Sequence, residues 1–280
     1  MKHLISPTQL SAHLNDPALI ILDGSWHLPD QARDPYSEYL DRHIPGAQFF
    51  DIDAVADQSD DLPHMLPDED AFGAAASGLG IWNDSPIVVY DCHGLFSAAR
   101  VWWSFKAMGH RDVKILDGGL PAWEAAGGAL ASGQEDPQVG SYSAHYQSHR
   151  VADRYAVLHA IENGAHPILD ARPPQRFSGG GKEPRAGLRS GHMPGAKNVF
   201  FKSLLTDDGR LKRTDALREV FEAAGHDVDH PAITSCGSGV TAAIVTLALA
   251  ELGQDDIRLY DGSWAEWGAD HNLPLATIES

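Results

Sequence analysis

The sequence predicts an α/β fold built twice, each copy a mostly parallel sheet with helices on both faces. Three observations predict it. Short β-rich apolar runs alternate with helical patterns along the chain. The order of motifs in the first half recurs in the second. Both cysteines directly follow a strand candidate and precede a helix candidate, as residues of α/β sites do.

The duplication is read from four matched pairs. Ile20-Ile21-Leu22-Asp23 corresponds to Pro167-Ile168-Leu169-Asp170, and His43-Ile44-Pro45-Gly46-Ala47 to His192-Met193-Pro194-Gly195-Ala196. Ile87-Val88-Val89-Tyr90-Asp91-Cys92 corresponds to Pro231-Ala232-Ile233-Thr234-Ser235-Cys236, and Leu116-Asp117-Gly118-Gly119 to Tyr260-Asp261-Gly262-Ser263. All four are offset by 144 to 149 residues and keep their order. We therefore expect domains over 1–126 and 150–280, with 127–149, rich in Gly, Ser and Ala, as the linker.

In copy one the strands are expected at 19–22, 87–90 and 113–116, as β-branched apolar runs, and the helices at 7–14, 68–78 and 97–108. In copy two the strands are expected at 167–169, 231–234 and 257–260, and the helices at 151–162, 214–224 and 241–252. Trp102, Trp103, Trp123, Trp264 and Trp267 read as core, and His43 and His192, each just before a Pro-Gly pair, as turn supports.

Composition narrows the function. The 280 residues are 43% hydrophobic and 21% charged, which is globular rather than disordered. No apolar run approaches the length of a membrane span, and Met1-Lys2-His3-Leu4 opens no secretory signal, so a cytoplasmic protein is expected. The net charge of −18 opposes nucleic acid and anionic lipid as partners and makes any anionic substrate depend on a local arginine cluster. Two cysteines make no disulfide framework. No metal motif is read, because two lone cysteines make no zinc-type set. Gly179-Gly180-Gly181 is no phosphate-binding loop, because Ser or Thr does not follow Lys182.

Cys236-Gly237-Ser238-Gly239-Val240-Thr241 carries the chemistry. Two glycines allow a tight turn that aims successive N–H groups inward, and the helix from Ala242 adds its own unpaired N–H groups. Such a cradle favours a thiolate. A buried structural cysteine beside a helix start is the alternative; the Gly-Ser-Gly spacing favours the nucleophile. In copy one, Leu95 and Phe96 replace Gly239 and Val240, so Cys92 is expected to be non-catalytic. Arg176 and Arg185 flank a Gly- and Pro-containing segment expected to be a loop. Two guanidiniums there suit a carboxylate and an adjacent carbonyl, with Lys182 and Arg189 as weaker candidates.

The Gly-His-Met-Pro-Gly-Ala motif, the Cys236 loop and Tyr260-Asp261-Gly262-Ser263-Trp264-Ala265-Glu266-Trp267 together resemble the two-domain rhodanese-like sulfurtransferases over nearly the whole chain. The resemblance implies a catalytic C-terminal domain, a silent N-terminal one and a persulfide on Cys236. Thiosulfate-using members typically carry basic residues after the cysteine. The uncharged Gly237 and Ser238 instead look like the 3-mercaptopyruvate sulfurtransferase type, in which Arg176 and Arg185 match the substrate-binding positions. Asp51-Ile52-Asp53 and Pro63-His64-Met65-Leu66-Pro67 also match family pieces, and by resemblance Asp53, His64 and Ser238 form a relay of Ser–His–Asp kind. The family implies no bound cofactor, and thioredoxin, other thiols or cyanide as sulfur acceptors. The rival readings are a thiosulfate sulfurtransferase and a non-catalytic rhodanese-like binding module. A Cys-dependent phosphatase needs Arg six residues after the cysteine, and Ala242 stands there.

Overall fold

A computed structural model describes residues 1–164 and 166–278. Each half of the chain supplies one five-stranded, all-parallel sheet. The chain divides into two compact units. Unit 1 holds Met1–Gln58, Leu66–Gln147 and Asp207–Leu211; unit 2 holds Ser59–Met65, Ser148–Thr206 and Lys212–Ser280.

In unit 1 the strands are β1 (Leu4–Ile5), β2 (Ile20–Asp23), β3 (Ala47–Phe49), β4 (Ile87–Tyr90) and β5 (Val113–Leu116), in the order β1-β5-β4-β2-β3. β4 lies at the centre, and all four of its residues are buried, as a doubly covered parallel strand requires. Among the described residues, six helices, counting a short 3₁₀ turn at Pro29–Gln31, connect these strands, and a seventh follows β5. The α-helices are α1 (Pro7–His13), α2 (Pro35–Asp41), α3 (Ile52–Val55), α4 (Glu69–Gly78), α5 (Ala98–Ala107) and α6 (Gly119–Ala125). Leu10, Ile21, Val88, Tyr90, Leu116 and Trp123 share one apolar cluster.

Unit 2 repeats the plan with β6 (Val151–Ala152), β7 (Ile168–Asp170), β8 (Lys197–Asn198), β9 (Ala232–Ser235) and β10 (Ile257–Tyr260), in the order β6-β10-β9-β7-β8. Its α-helices are α7 (Arg154–Asn163), α8 (Pro174–Ser178), α9 (Thr214–Ala223), α10 (Ala242–Glu251) and α11 (Ser263–Trp267). Every residue of α10 from Ala242 to Ala250 is buried, and Thr246 satisfies its hydroxyl against Thr234 of β9 at 2.8 Å. Trp264 and Trp267 lie in the unit 2 core with Val157, Ile168 and Tyr260.

The central strands and long helices fall within a residue or two of expectation, with two informative departures. Residues 151–152 form an edge strand, not the start of a helix. Asp153 then caps α7, its carboxylate accepting from the Ala156 N–H at 2.8 Å. Arg176 lies on the one-turn helix α8, not in a loop; Pro174 starts that helix and Gly179, at φ 91°, ends it. The edge strands β1, β3, β6 and β8 have two or three residues each, too few to show a period.

The Gly- and Ser-rich stretch after α6 packs on unit 1. Ala131 bridges to His43, Ser141 bridges to Trp82, and the buried Tyr142 donates to the Met108 carbonyl at 3.2 Å. The five tryptophans read as core are all at most 2% exposed. His43 and His192 brace their turns through backbone carbonyls of Tyr39 and Phe177, each at 2.8 Å. No helix among the described residues is long and apolar enough to cross a membrane.

Candidate active site

Cys236 leaves the carboxyl end of β9, the central strand of its sheet, and is 2% exposed. Its loop is organised by a residue the sequence reading passed over. Ser263, at the start of α11, accepts from the Cys236 N–H at 3.2 Å and from the Gly239 N–H at 3.1 Å, and donates to the Tyr260 carbonyl at 2.8 Å. One hydroxyl thus ties both ends of the cysteine turn to the end of β10. Ser263 holds this place at φ 49°, in the left-handed region that non-glycine residues seldom occupy. Two N–H groups of the first turn of α11 hold the loop's carbonyls: Trp264 donates to Cys236 O at 3.0 Å and Ala265 to Gly237 O at 2.9 Å.

With the carbonyls pinned, the remaining amides point elsewhere. Among the described residues, no acceptor engages the N–H of Gly237, Ser238, Val240 or Thr241. Gly239 makes the turn at φ 78°. Thr241 sits at the N-cap position of α10 without a side-chain cap bond, so the helix start is also open. Four free N–H donors and a helix start around one thiol suit a negative charge on sulfur or on a group bonded to it.

Arg176 reaches the same loop. A Cβ placed on Gly237 would lie 3.2 Å from Arg176 Nη2, so the guanidinium rests against the residue after the cysteine. It is held there by Glu183, which accepts from Arg176 Nη2 at 2.5 Å and from Nε at 3.1 Å. Glu183 is buried and also accepts from Arg172 Nη1 at 3.0 Å. Arg172 in turn pairs with Asp170 at the end of β7, its closest contact 2.6 Å, and lies 4.0 Å from the ring centroid of Trp264. The chain Asp170–Arg172–Glu183–Arg176 therefore runs from a strand end to the cysteine loop. Arg172 and Glu183 carried no motif, and the only sequence signal was their charge within a segment destined for burial.

The other arginines separate in role. Arg189 donates to the backbone carbonyls of Trp267, Gly268, Asp270 and Leu273, which makes it a clamp on the end of α11. Arg185 is half-buried on the segment after Glu183, and Lys182 is exposed. Ser238 is 6% exposed, within the cysteine loop. His64 belongs to unit 2 with Cys236 and Ser238, is buried, and sits at φ 64°. Asp53 belongs to unit 1, on α3, where its carboxylate accepts from Trp26 Nε1 at 2.9 Å.

The copy-one loop is closed by a different device. Asp91 stands where Ser235 stands in copy two, and its carboxylate accepts from the N–H groups of His93, Phe96 and Ala98 at 2.7 to 2.9 Å. The Asp91 carboxylate thereby fills the counterparts of two donors, Gly237 and Val240, that copy two leaves open. Burial pushes the Cys92 thiol up to about 11, far from the neutral range in which a thiolate forms.

Residues 6–126 and 154–270 each match the Rhodanese-like domain family. The chain is 44% identical over 271 residues to 3-mercaptopyruvate sulfurtransferase of Escherichia coli K12, covering 96% of both chains. It is 41% identical over 298 residues to the mitochondrial thiosulfate/3-mercaptopyruvate sulfurtransferase 1 of Arabidopsis thaliana, covering 99% of this chain and 79% of that one. The crystal structure of SseA from Escherichia coli, described as a 3-mercaptopyruvate sulfotransferase with the rhodanese fold, superposes with a TM-score of 0.87 at 41% identity, over 94% of this chain and 99% of that one. The doubled parallel sheet, the cysteine at a strand end and these likenesses lead to one conclusion: the chain belongs to the rhodanese-like family and carries its domain twice.

Proposed function

We propose that the protein moves sulfur from 3-mercaptopyruvate to an acceptor thiol through a persulfide on Cys236, releasing pyruvate. The observation that carries this reading is the Cys236 loop, with four open N–H donors and the Arg176 guanidinium against Gly237. Relatives named for 3-mercaptopyruvate alone, at 44% identity, support the choice of donor.

In the proposed cycle, Arg176 and Arg185 hold the substrate carboxylate and carbonyl by charge-assisted hydrogen bonds. The Cys236 thiolate bonds to the substrate sulfur while the sulfur–carbon bond breaks. The electron pair of that bond becomes the enolate of pyruvate, which then takes a proton at carbon. Ser238, with His64 and Asp53 behind it, supplies or relays that proton. The open amides of Gly237, Ser238, Val240 and Thr241 stabilise the persulfide anion that remains. An acceptor thiolate, of thioredoxin or a small thiol, or cyanide, then attacks the outer sulfur and frees Cys236. We assign catalysis to a domain over 150–280, silence to a domain over 1–126 and the connection to 127–149, and take the cytoplasm as the site of action.

The test measures pyruvate release from 3-mercaptopyruvate with a thiol acceptor beside thiosulfate-to-cyanide transfer. Pyruvate release is expected to exceed thiosulfate turnover, and Cys236→Ser to lower it by at least about 10³-fold. Faster thiosulfate turnover would reassign the donor, and a Cys236→Ser variant that keeps its rate would remove the persulfide from the mechanism.

A further inference from the structure

Unit 1 holds a cluster of ligating side chains that the sulfur-transfer reading does not use. One ring nitrogen of His27, one of His93 and the Cys92 sulfur lie within 4.8 Å of one another. His27 Nδ1 and His93 Nε2 face each other at 2.9 Å, so two imidazoles are turned nitrogen to nitrogen beside a thiol. The outer nitrogen of His27 is engaged: Nε2 contacts Glu38 Oε2 at 3.1 Å. Glu38 is itself locked by a two-pronged bond from Arg33, at 2.6 and 2.7 Å. A carboxylate on the far nitrogen of a histidine fixes its tautomer and leaves the near nitrogen's lone pair facing inward, which is the usual support of a metal-bound imidazole.

From this geometry we propose that Cys92, His27 and His93 form a site for a thiolate- and imidazole-preferring cation of the Zn²⁺ type. In a tetrahedral site with zinc–nitrogen bonds of ~2.0–2.1 Å, two ligand nitrogens stand about 3.3 Å apart. The nitrogens here need to part by a few tenths of an ångström, within the reach of a side-chain rotation. Glu38 and Arg33 supply the outer shell, since Arg33 Nη2 also lies 3.8 Å from the Cys92 sulfur and can donate to a bound thiolate. A cavity of about 210 Å³, lined by Asp23, Arg33, Glu38, Arg42 and Cys92 among others, reaches the sulfur side of the cluster. Binding balances as one cation taken up and one proton released: the Cys92 S–H proton goes to solvent, and the His93 proton moves from Nε2 to Nδ1.

The ligands come from two places in the chain, His27 after β2 and the Cys92–His93 pair after β4. No spacing motif announces them, so the expectation of no metal site from sequence spacing is replaced by this proposal.

The test uses the full-length chain stripped of metal with a chelator. Zn²⁺ titrated in competition with a chromophoric chelator is expected to bind at one equivalent. Cys92→Ser and His27→Gln are expected to weaken binding at least about 100-fold, and Glu38→Gln, which touches only the outer shell, about 10-fold. A second measurement does not depend on those variants folding. In Cys236→Ser the only remaining thiol is Cys92, so Co²⁺ is expected to give a thiolate-to-metal charge-transfer band from Cys92 itself. No stoichiometric binding, no such band, or equal affinity in Cys92→Ser would each overturn the proposal.

Discussion

Glu183 is the residue on which the arginines of the site converge, because its two oxygens accept from Arg172 and Arg176 while its side chain is 2% exposed. Removing the charge leaves Arg172 buried with one carboxylate fewer, and breaking a buried pair costs about 3–5 kcal/mol. Glu183→Gln is therefore expected to lower the melting temperature and to raise KM for 3-mercaptopyruvate as Arg176 loses its anchor. Unchanged melting and KM would show that Asp170 alone supports the cluster. The sequence could offer Arg176 by resemblance, but not Glu183 or Arg172. Their importance comes from burial, and four charges within 12 positions look like an ordinary solvated loop until the chain closes over them. Ser235 and Asp91 make the same point in reverse: they occupy matched positions, yet only contact with three loop amides reveals Asp91 as the group that closes copy one.

Between elements, the decisive contact is the Ser263 hydroxyl that joins the start of α11 to the cysteine turn. Ser263→Ala leaves two buried N–H groups, those of Cys236 and Gly239, without an acceptor, at about 1–3 kcal/mol each. We expect the variant to melt earlier and to release pyruvate at least about 10-fold more slowly, and a rate equal to the parent's would show that the turn keeps its shape without the hydroxyl. A second element-scale effect sits after α9. His226 follows that helix with its N–H bonded to Phe221 O at 2.9 Å and its ring edge-on to Phe221. Burial, reinforced by the Lys197 charge, lowers its pKa from 6.5 to about 4, against the opposing pull of Asp227. Because the folded state disfavours the charged ring, the neutral form's stability is fully present above the unfolded value near 6.5 and is lost as pH falls through about 4. His226→Phe is expected to flatten the fall in melting temperature between pH 6.5 and 4; parallel curves for parent and variant would assign that fall to the carboxylates.

On the scale of the whole chain, the two units are not a simple cut at the middle. Unit 2 includes Ser59–Met65 from the first half, and unit 1 includes Asp207–Leu211 from the second. A fragment beginning at residue 148 thus lacks part of its own unit, including the buried His64. Expressed alone, 148–280 is expected to melt earlier and with less cooperativity than the intact chain, and to lose at least about 100-fold in pyruvate release. A fragment with the parent's rate would show that Ser59–Met65 contributes neither packing nor chemistry.

By itself the sequence determined the fold class, the duplication and the position of Cys236. These rest on local signals: apolar runs with a period, glycines where a turn is tight, and motifs repeated in the same order at offsets of 144 to 149 residues. The edge strands β1, β3, β6 and β8, the helix under Arg176 and the Ser263 knot were decided only by the tertiary structure. Short edge strands exist because a neighbouring strand offers hydrogen bonds, and α8, with five residues, is too short to show a helical period in the sequence. The buried Asp170–Arg172–Glu183–Arg176 chain and the His27–Cys92–His93 cluster belong to the same class. In each, charge or ligand geometry arises from residues brought together across different elements, and the spacing of residues along one chain carries no record of that meeting.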